Sequence, residues 1–420
     1  MIQTVENIGE KLISMLTYDA SQPLIFSSGL FLFLFAGFLF FYGFTRRAPI
    51  ARIVYVILFS LYFYYKSSGI YFLLLVFASV SDYWIAHAIY KVRTQRAKYW
   101  LVGLSILVNL GMLGYFKYTN FLIEIANNLF GQGFLNFQNI FLPVGISFFV
   151  FQSMSYTIDI YRGQLKPLSN WLDYLFYLSF FPQLVAGPIV RARDFLVQIR
   201  QNPIAVSREM FGTGIYLITI GLFKKAVISD YISLNFVDRI FDDPALYSGM
   251  ECLAAVYGYA LQIYCDFSGY SDMAIGIALL LGFRFPKNFD APYHSATITE
   301  FWRRWHISLS SWFRDYVYIP LGGSRVRLGR WVLNLLVVWG LTGLWHGAAW
   351  TFVLWGLYFA VFLLMEKLFL GRLLRRLPVL RHVYVLTAAL FSFVLFDASS
   401  LSAAIGAAGG LLGLGGLPLW

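Results

Sequence analysis

Charged side chains are scarce in this sequence. Asp, Glu, Lys and Arg supply 13% of its 420 residues, about half of the roughly 25% found in an average soluble domain. Hydrophobic residues make up 59% and aromatic residues 20%, a composition that excludes an ordinary soluble globular fold. Cysteine is nearly absent too. Cys252 and Cys265 are the whole complement, both in apolar sequence, so neither a disulfide framework nor a cysteine-built zinc cluster is available. A phosphate-cradling Gly-Lys-Ser/Thr loop, a dinucleotide fingerprint, a serine elbow and a metal-binding pair of histidines at helical spacing are all missing, which disfavours ATP-driven transport and zinc hydrolysis. No internal repeat of the transporter kind occurs, and no stretch is long enough to fold as a soluble domain of its own.

What the sequence has in abundance is apolar runs. Crossing about 30 Å of hydrocarbon takes roughly 17 or more mainly apolar residues. Such spans are expected near 26–45, 51–65, 70–90, 100–117, 139–157, 172–189, 211–235, 251–282, 330–348, 349–370 and 384–398. An all-α, multi-pass membrane protein follows. The formal charge of +11 could suggest nucleic acid, but the Lys and Arg residues fall mainly in short connections between spans. Arg46, Arg47 and Arg52 share one connection, Lys66 stands nearly alone in the next, and Lys91, Arg93, Arg96 and Lys98 fill the one after. Alternate connections are basic and therefore cytoplasmic, which places the connection at Lys66 and the N-terminus outside. Residues 1–24 carry Glu6, Glu10 and Lys11 without the basic start and short apolar core of a cleaved signal, and are read as an amphipathic leader at the membrane surface. Residues 25–400 form one membrane domain, and residues 401–420 a hydrophobic segment rich in Gly, Ala and Leu.

Three places interrupt the pattern. Leu142–Ser147 (LPVGIS) and Leu184–Pro188 (LVAGP) set Pro and Gly inside apolar sequence, where non-helical backbone survives only buried in protein or lining a wet cavity. Taken as one helix, Phe301–Tyr318 carries Trp302, Trp305, Leu309 and Trp312 on one stripe and Arg303, His306, Ser310 and Arg314 on the next. Such a helix lies along the membrane or lines a polar cavity.

Few residues in this background can do chemistry. His346 stands in Leu341–Trp350 (LTGLWHGAAW), a run without formal charge, where desolvation favours a neutral imidazole able to take a proton from an alcohol. A histidine hydrogen-bonded between helices fits the same residues, and local sequence leaves both open. His306 follows Arg303 and Arg304, which could attract a phosphate-bearing donor or simply snorkel to lipid phosphates beside belt tryptophans. Asp266 and Tyr270 share one helical face and Ser268 and Asp272 another within Tyr264–Met273 (YCDFSGYSDM). These carboxylates need pairing or water, and structural pairing explains them as well as catalysis. Asp82 and His87 read as membrane-edge groups, and Asn288–His294 (NFDAPYH) as a surface turn without a functional role.

Phe301–Gly323 (FWRRWHISLSSWFRDYVYIPLGG) closely resembles the signature of the membrane-bound O-acyltransferases. The resemblance extends through Tyr264–Met273, Pro286–Pro292 (PKNFDAP) and Leu344–Gly347 (LWHG). Ile25–Ser28 (IFSS) and Phe181–Ile189 (FPQLVAGPI) resemble the alginate O-acetyltransferase branch. This implies a ring of about 11 transmembrane helices, with short interfacial and re-entrant helices around a thinned centre. His346 matches the family histidine and His306 the polar position upstream of it. By the same resemblance, Asp266, Tyr270, Trp302, Arg303 and Trp345 bind substrate or donor. No metal or tightly bound cofactor is implied; an acyl thioester, of coenzyme A or of an acyl carrier, is the co-substrate. The implied partners are membrane lipid, an extracytoplasmic polysaccharide, a donor or carrier protein, and a periplasmic or extracellular acyltransferase partner, with no nucleic acid. The implied site is the bacterial cytoplasmic membrane. Two rivals remain at this point: a D-alanyl transferase for teichoic acid, marked by carrier binding, and a transporter or flippase using Asp266 and Asp272.

Overall fold

The computed structural model describes residues 10, 11, 14–243 and 246–397. They are helical, with no strand among the described residues. Hydrocarbon offers the backbone no hydrogen-bond partner, and a helix satisfies its N–H and C=O groups internally. Among the described residues, six helical stretches are long and apolar enough to cross a membrane: Pro49–Lys91, Gln95–Phe130, Arg208–Asp242, Leu328–His346, Trp350–Leu374 and Pro378–Asp397. The protein is thus an all-helical, multi-pass membrane protein. Two of the expected spans break up: 139–157 holds a helix only from Ile146, and 172–189 holds two short helices. The terminal segment 401–420, and residues 1–9, 12 and 13 of the leader, lie outside the described residues.

The chain forms two compact units, residues 1–218 with 273–285 and residues 219–272 with 286–420. The first contains α1 (Gly29–Thr45), α2 (Pro49–Ser68), α3 (Phe72–Lys91), α4 (Gln95–Leu113), α5 (Thr119–Phe130), α6 (Ile146–Tyr161), α7 (Trp171–Ser179), α8 (Phe181–Leu184), α9 (Ala192–Ile199) and most of α10 (Arg208–Leu222). The Ser28 hydroxyl caps α1 by accepting the Phe31 N–H, and Pro49 starts α2, where a missing N–H costs nothing. Phe31, Phe35 and Phe38 of α1 and Phe59 and Phe63 of α2 gather around Phe181 of α8, with centroids 5.0–6.3 Å from it. The two Pro/Gly-broken segments meet here. Gly145 has φ +74°, and a Cβ on it would run into the Leu184 carbonyl oxygen, so the close approach needs glycine. Asp82 is buried among helices, where it accepts from Ser105 (2.6 Å), Asn109 (2.6 Å) and Ser153. Lys66 likewise sits in the last turn of α2 rather than in a connection, buried, with its ammonium donating to the Met15 and Thr17 carbonyls of the leader's described end.

The second unit contains part of α11 (Gly249–Leu280), then α12 (Ile298–Arg304), α13 (Ile307–Phe313), α14 (Leu328–His346), α15 (Trp350–Met365) and α16 (Pro378–Asp397). The single helix expected over 301–318 is three pieces: α12, α13 and a π-helical stretch, Arg314–Tyr318. The break falls at Trp305–His306, where His306 adopts φ +44°, ψ +55°. Helices α14 and α15 fold back on each other through three residues, Gly347–Ala349. Their backbones touch. A Cβ on Gly343 would meet the Phe352 carbonyl oxygen, and one on Gly356 the Trp339 carbonyl oxygen, the close packing that small residues permit. Phe301, Trp302, Trp305, Trp339, Trp355, Phe359 and Phe393 form the core.

Candidate functional site

His346 is the last residue of α14. Its Nδ1 lies 2.7 Å from the Thr342 carbonyl oxygen one turn back. A carbonyl only accepts, so Nδ1 carries the hydrogen, and in the uncharged form of the ring Nε2 is the basic nitrogen. The ring packs edge-on against Trp355 (4.6 Å) and Trp345 (4.9 Å) and lies 5.8 Å from Phe396.

His306 is buried and held in a left-handed conformation that costs a non-glycine residue about 1–2 kcal/mol. Asn288 offsets that cost. Its main-chain oxygen accepts the Ile307 N–H (2.9 Å), and its Oδ1 lies 3.2 Å from the Ser308 N, 2.8 Å from the Ser308 hydroxyl and 3.2 Å from His306 Nδ1. Phe267 meets the imidazole edge-on at 4.7 Å. Trp345 joins the histidines, its ring centroid 5.7 Å from His306 and 4.9 Å from His346. His306 lies outside the candidate spans; burial, and secondarily the nearby His346, hold its proton affinity well below the usual 6.5.

The structure therefore brings together three of the residues singled out in the sequence: His346, His306 and Trp345. Trp302 stands one ring removed, 5.6 Å from Trp355. Asp266 is ion-paired with Lys225 and 46% exposed, and Asp272 pairs with Lys224 at 2.7 Å. Tyr270 is buried on α11 one turn beyond Asp266. Arg303 points elsewhere, into a cavity of about 560 Å³ lined also by Lys367, Arg375, Arg381, Glu366 and Trp331. Among the described residues, no group of three His, Cys, Asp or Glu side chains gathers to hold a metal ion.

Asn288 corrects the sequence reading. It is 1% exposed, not a surface turn, and it bonds Ser271 of α11 through its Nδ2 at 3.0 Å. Local polarity cannot reveal this, because the partners lie 17 to 20 residues away. The signal was its place within Pro286–Pro292.

Residues 161–403 match the profile of the membrane-bound O-acyltransferase family. The chain is 41% identical over 390 residues to a protein of Azotobacter vinelandii named "probable alginate O-acetylase AlgI", covering 91% of this chain and 76% of that one. It is 35% identical over 431 residues to a peptidoglycan O-acetyltransferase of Helicobacter pylori, covering 94% and 81%. A teichoic acid D-alanyltransferase of Bacillus subtilis is 32% identical over 246 residues, covering 55% of this chain and 60% of the other.

Proposed function

The chain belongs to the membrane-bound O-acyltransferase family, and from that premise we propose that it acetylates hydroxyls of an extracytoplasmic polysaccharide, alginate-like in kind, with His346 as general base. Membrane acyltransfer to a polysaccharide is what its relatives have in common; the donor, the acceptor and the residue roles are the proposal. One observation carries it. The Thr342 carbonyl holds a hydrogen of His346 on Nδ1 beside the rings of Trp345, Trp355 and Phe396, which assigns the role of base to Nε2.

The acceptor R–OH gives its proton to His346 Nε2 as its oxygen attacks the thioester carbonyl carbon. The tetrahedral intermediate collapses with cleavage of the C–S bond, and the leaving thiolate takes the proton back, giving ester and free thiol. Holding both reactants in place supplies most of the advantage. The donor is an acetyl thioester of coenzyme A or of a carrier protein, drawn from the cytoplasm. The cavity at Arg303, with three further cations in its wall, suits a phosphate-bearing donor, and supports Arg303 as part of the entrance. Asp266, already paired with Lys225, serves the helix arrangement instead. A periplasmic or extracellular acyltransferase partner completes delivery in the bacterial cytoplasmic membrane.

The test compares ester-linked acyl groups on extracellular glycan from cells with the wild-type chain, with His346→Ala or with neither, at equal membrane levels. Acylation with wild type alone is expected; product from His346→Ala would sink the assignment. Acetate among the released acids supports the proposal, whereas D-alanine favours the activity named for the Bacillus subtilis relative.

A further inference from the structure

The buried amide beneath His306 decides which of its nitrogens carries hydrogen. We propose that Asn288 is a positioning residue for acyl transfer, holding His306 with its hydrogen on Nδ1, so that His306 offers the reacting groups a lone pair at Nε2 rather than an N–H. This rests on the proposed function above, and departs from the simplest role for a second histidine, donation to the acyl carbonyl oxygen.

The orientation of the amide is fixed by its surroundings. A main-chain N–H can only donate, so the Asn288 atom 3.2 Å from the Ser308 N is oxygen, and the amide cannot be reversed. The same oxygen accepts the Ser308 hydroxyl at 2.8 Å, while Nδ2 donates to Ser271 Oγ at 3.0 Å. The contact from this oxygen to His306 Nδ1, 3.2 Å, can be a hydrogen bond only if Nδ1 bears the hydrogen. A carbonyl-donating Nε2–H in a neutral ring would require a hydrogen-free Nδ1 facing an oxygen, two acceptors against each other in a buried site. Among the described residues, His346 of α14 is a titratable group that acts on His306. The rings against it, Phe267, Phe289 and Trp345, carry no charge, nor do Ser271 and Ser308, which bond Asn288. With the Thr342 carbonyl acting in the same way on His346, Nε2 is the basic nitrogen of both rings, and a donor to the developing oxyanion must come from elsewhere.

The tautomer is directly observable. The chain has 5 histidines, and ¹⁵N spectra of histidine-labelled protein in lipid separate Nδ1–H from Nε2–H rings, with His306→Gln identifying the His306 signals. Wild type should show His306 protonated at Nδ1. Asn288→Ala should mix or invert the tautomers and lower acylation on the order of 10²-fold. Asn288→Asp keeps the accepting oxygen but adds charge, so it should keep the tautomer and move the acid limb of the activity–pH profile upward. An Nε2–H signal in wild type overturns the proposal, as does an unaltered His306 signal in Asn288→Ala. Should that variant not accumulate, an unmoved profile in Asn288→Asp overturns it equally. Product formed by His346→Ala would instead defeat the proposed function and leave the spectral result standing.

Discussion

His306 is an ionisable group packed where water does not reach, and that has a measurable price in acid. Unfolded, its pKa is about 6.5; folded, it lies well below that because of burial and the neighbouring His346. The folded protein therefore binds fewer protons across this interval than the unfolded chain does. Stability contributed by the neutral ring is present above about 6.5 and is lost as pH falls toward the folded value. Purified protein should thus melt at a lower temperature near pH 5.5 than near pH 7.5, and His306→Gln should narrow the difference; an unchanged difference would assign the acid sensitivity to other groups. At this scale His346 was legible because an ionisable residue in apolar sequence stands out, and His306 because it lies within the signature string Phe301–Gly323. Asn288 was not. Its burial depends on α11 bringing Ser271 beneath it, which nothing in the seven residues Asn288–His294 announces.

At the scale of elements, α14 and α15 form a hairpin whose spacing is set by glycine. Gly343→Ala would press a methyl group into the Phe352 carbonyl and part the helices just below His346. It should cost about 1–3 kcal/mol and reduce both thermal stability and acylation, whereas His346→Ala should affect acylation alone; a Gly343→Ala protein with wild-type melting would refute the contact. Glu366 performs a different service. Its carboxylate accepts the Ile298 and Thr299 N–H groups and the Thr299 hydroxyl (3.0 Å), capping the start of α12 on the path to His306. Glu366→Ala should lower stability by about 1–2 kcal/mol, and Glu366→Gln by less, in thermal melts of the two variants. The expected helices were mostly found near their expected places, since apolar length is written directly in composition. The break at His306 escaped notice because neither glycine nor proline marks it; the hydrogen bonds of Asn288 pin that backbone, and they come from outside the segment.

For the whole molecule, the distribution of charge predicts orientation. Arg93 lies in the turn between α3 and α4 and Arg96 and Lys98 at the start of α4, while residues 131–139, after α5, carry no charge. By the positive-inside rule, a cysteine at Arg93 should react with an impermeant thiol reagent only after cells are opened, and one at Asn136 should react in intact cells, with the wild-type chain as the control for Cys252 and Cys265. The reverse pattern would invert the topology and with it the side from which each substrate arrives. The family was legible because its motifs are contiguous strings, whereas the placement of Asp82 and Lys66 was not, because each is buried by residues distant in sequence. One further consequence concerns descent rather than mechanism. Thr342 orients His346 through its main-chain oxygen, an atom that all twenty amino acids share, so no codon change at that position deletes it. His306 depends on a side chain that a single nucleotide can turn into aspartate. Of the two hydrogen-bond partners, Asn288 is therefore the one through which heritable change can adjust the pair.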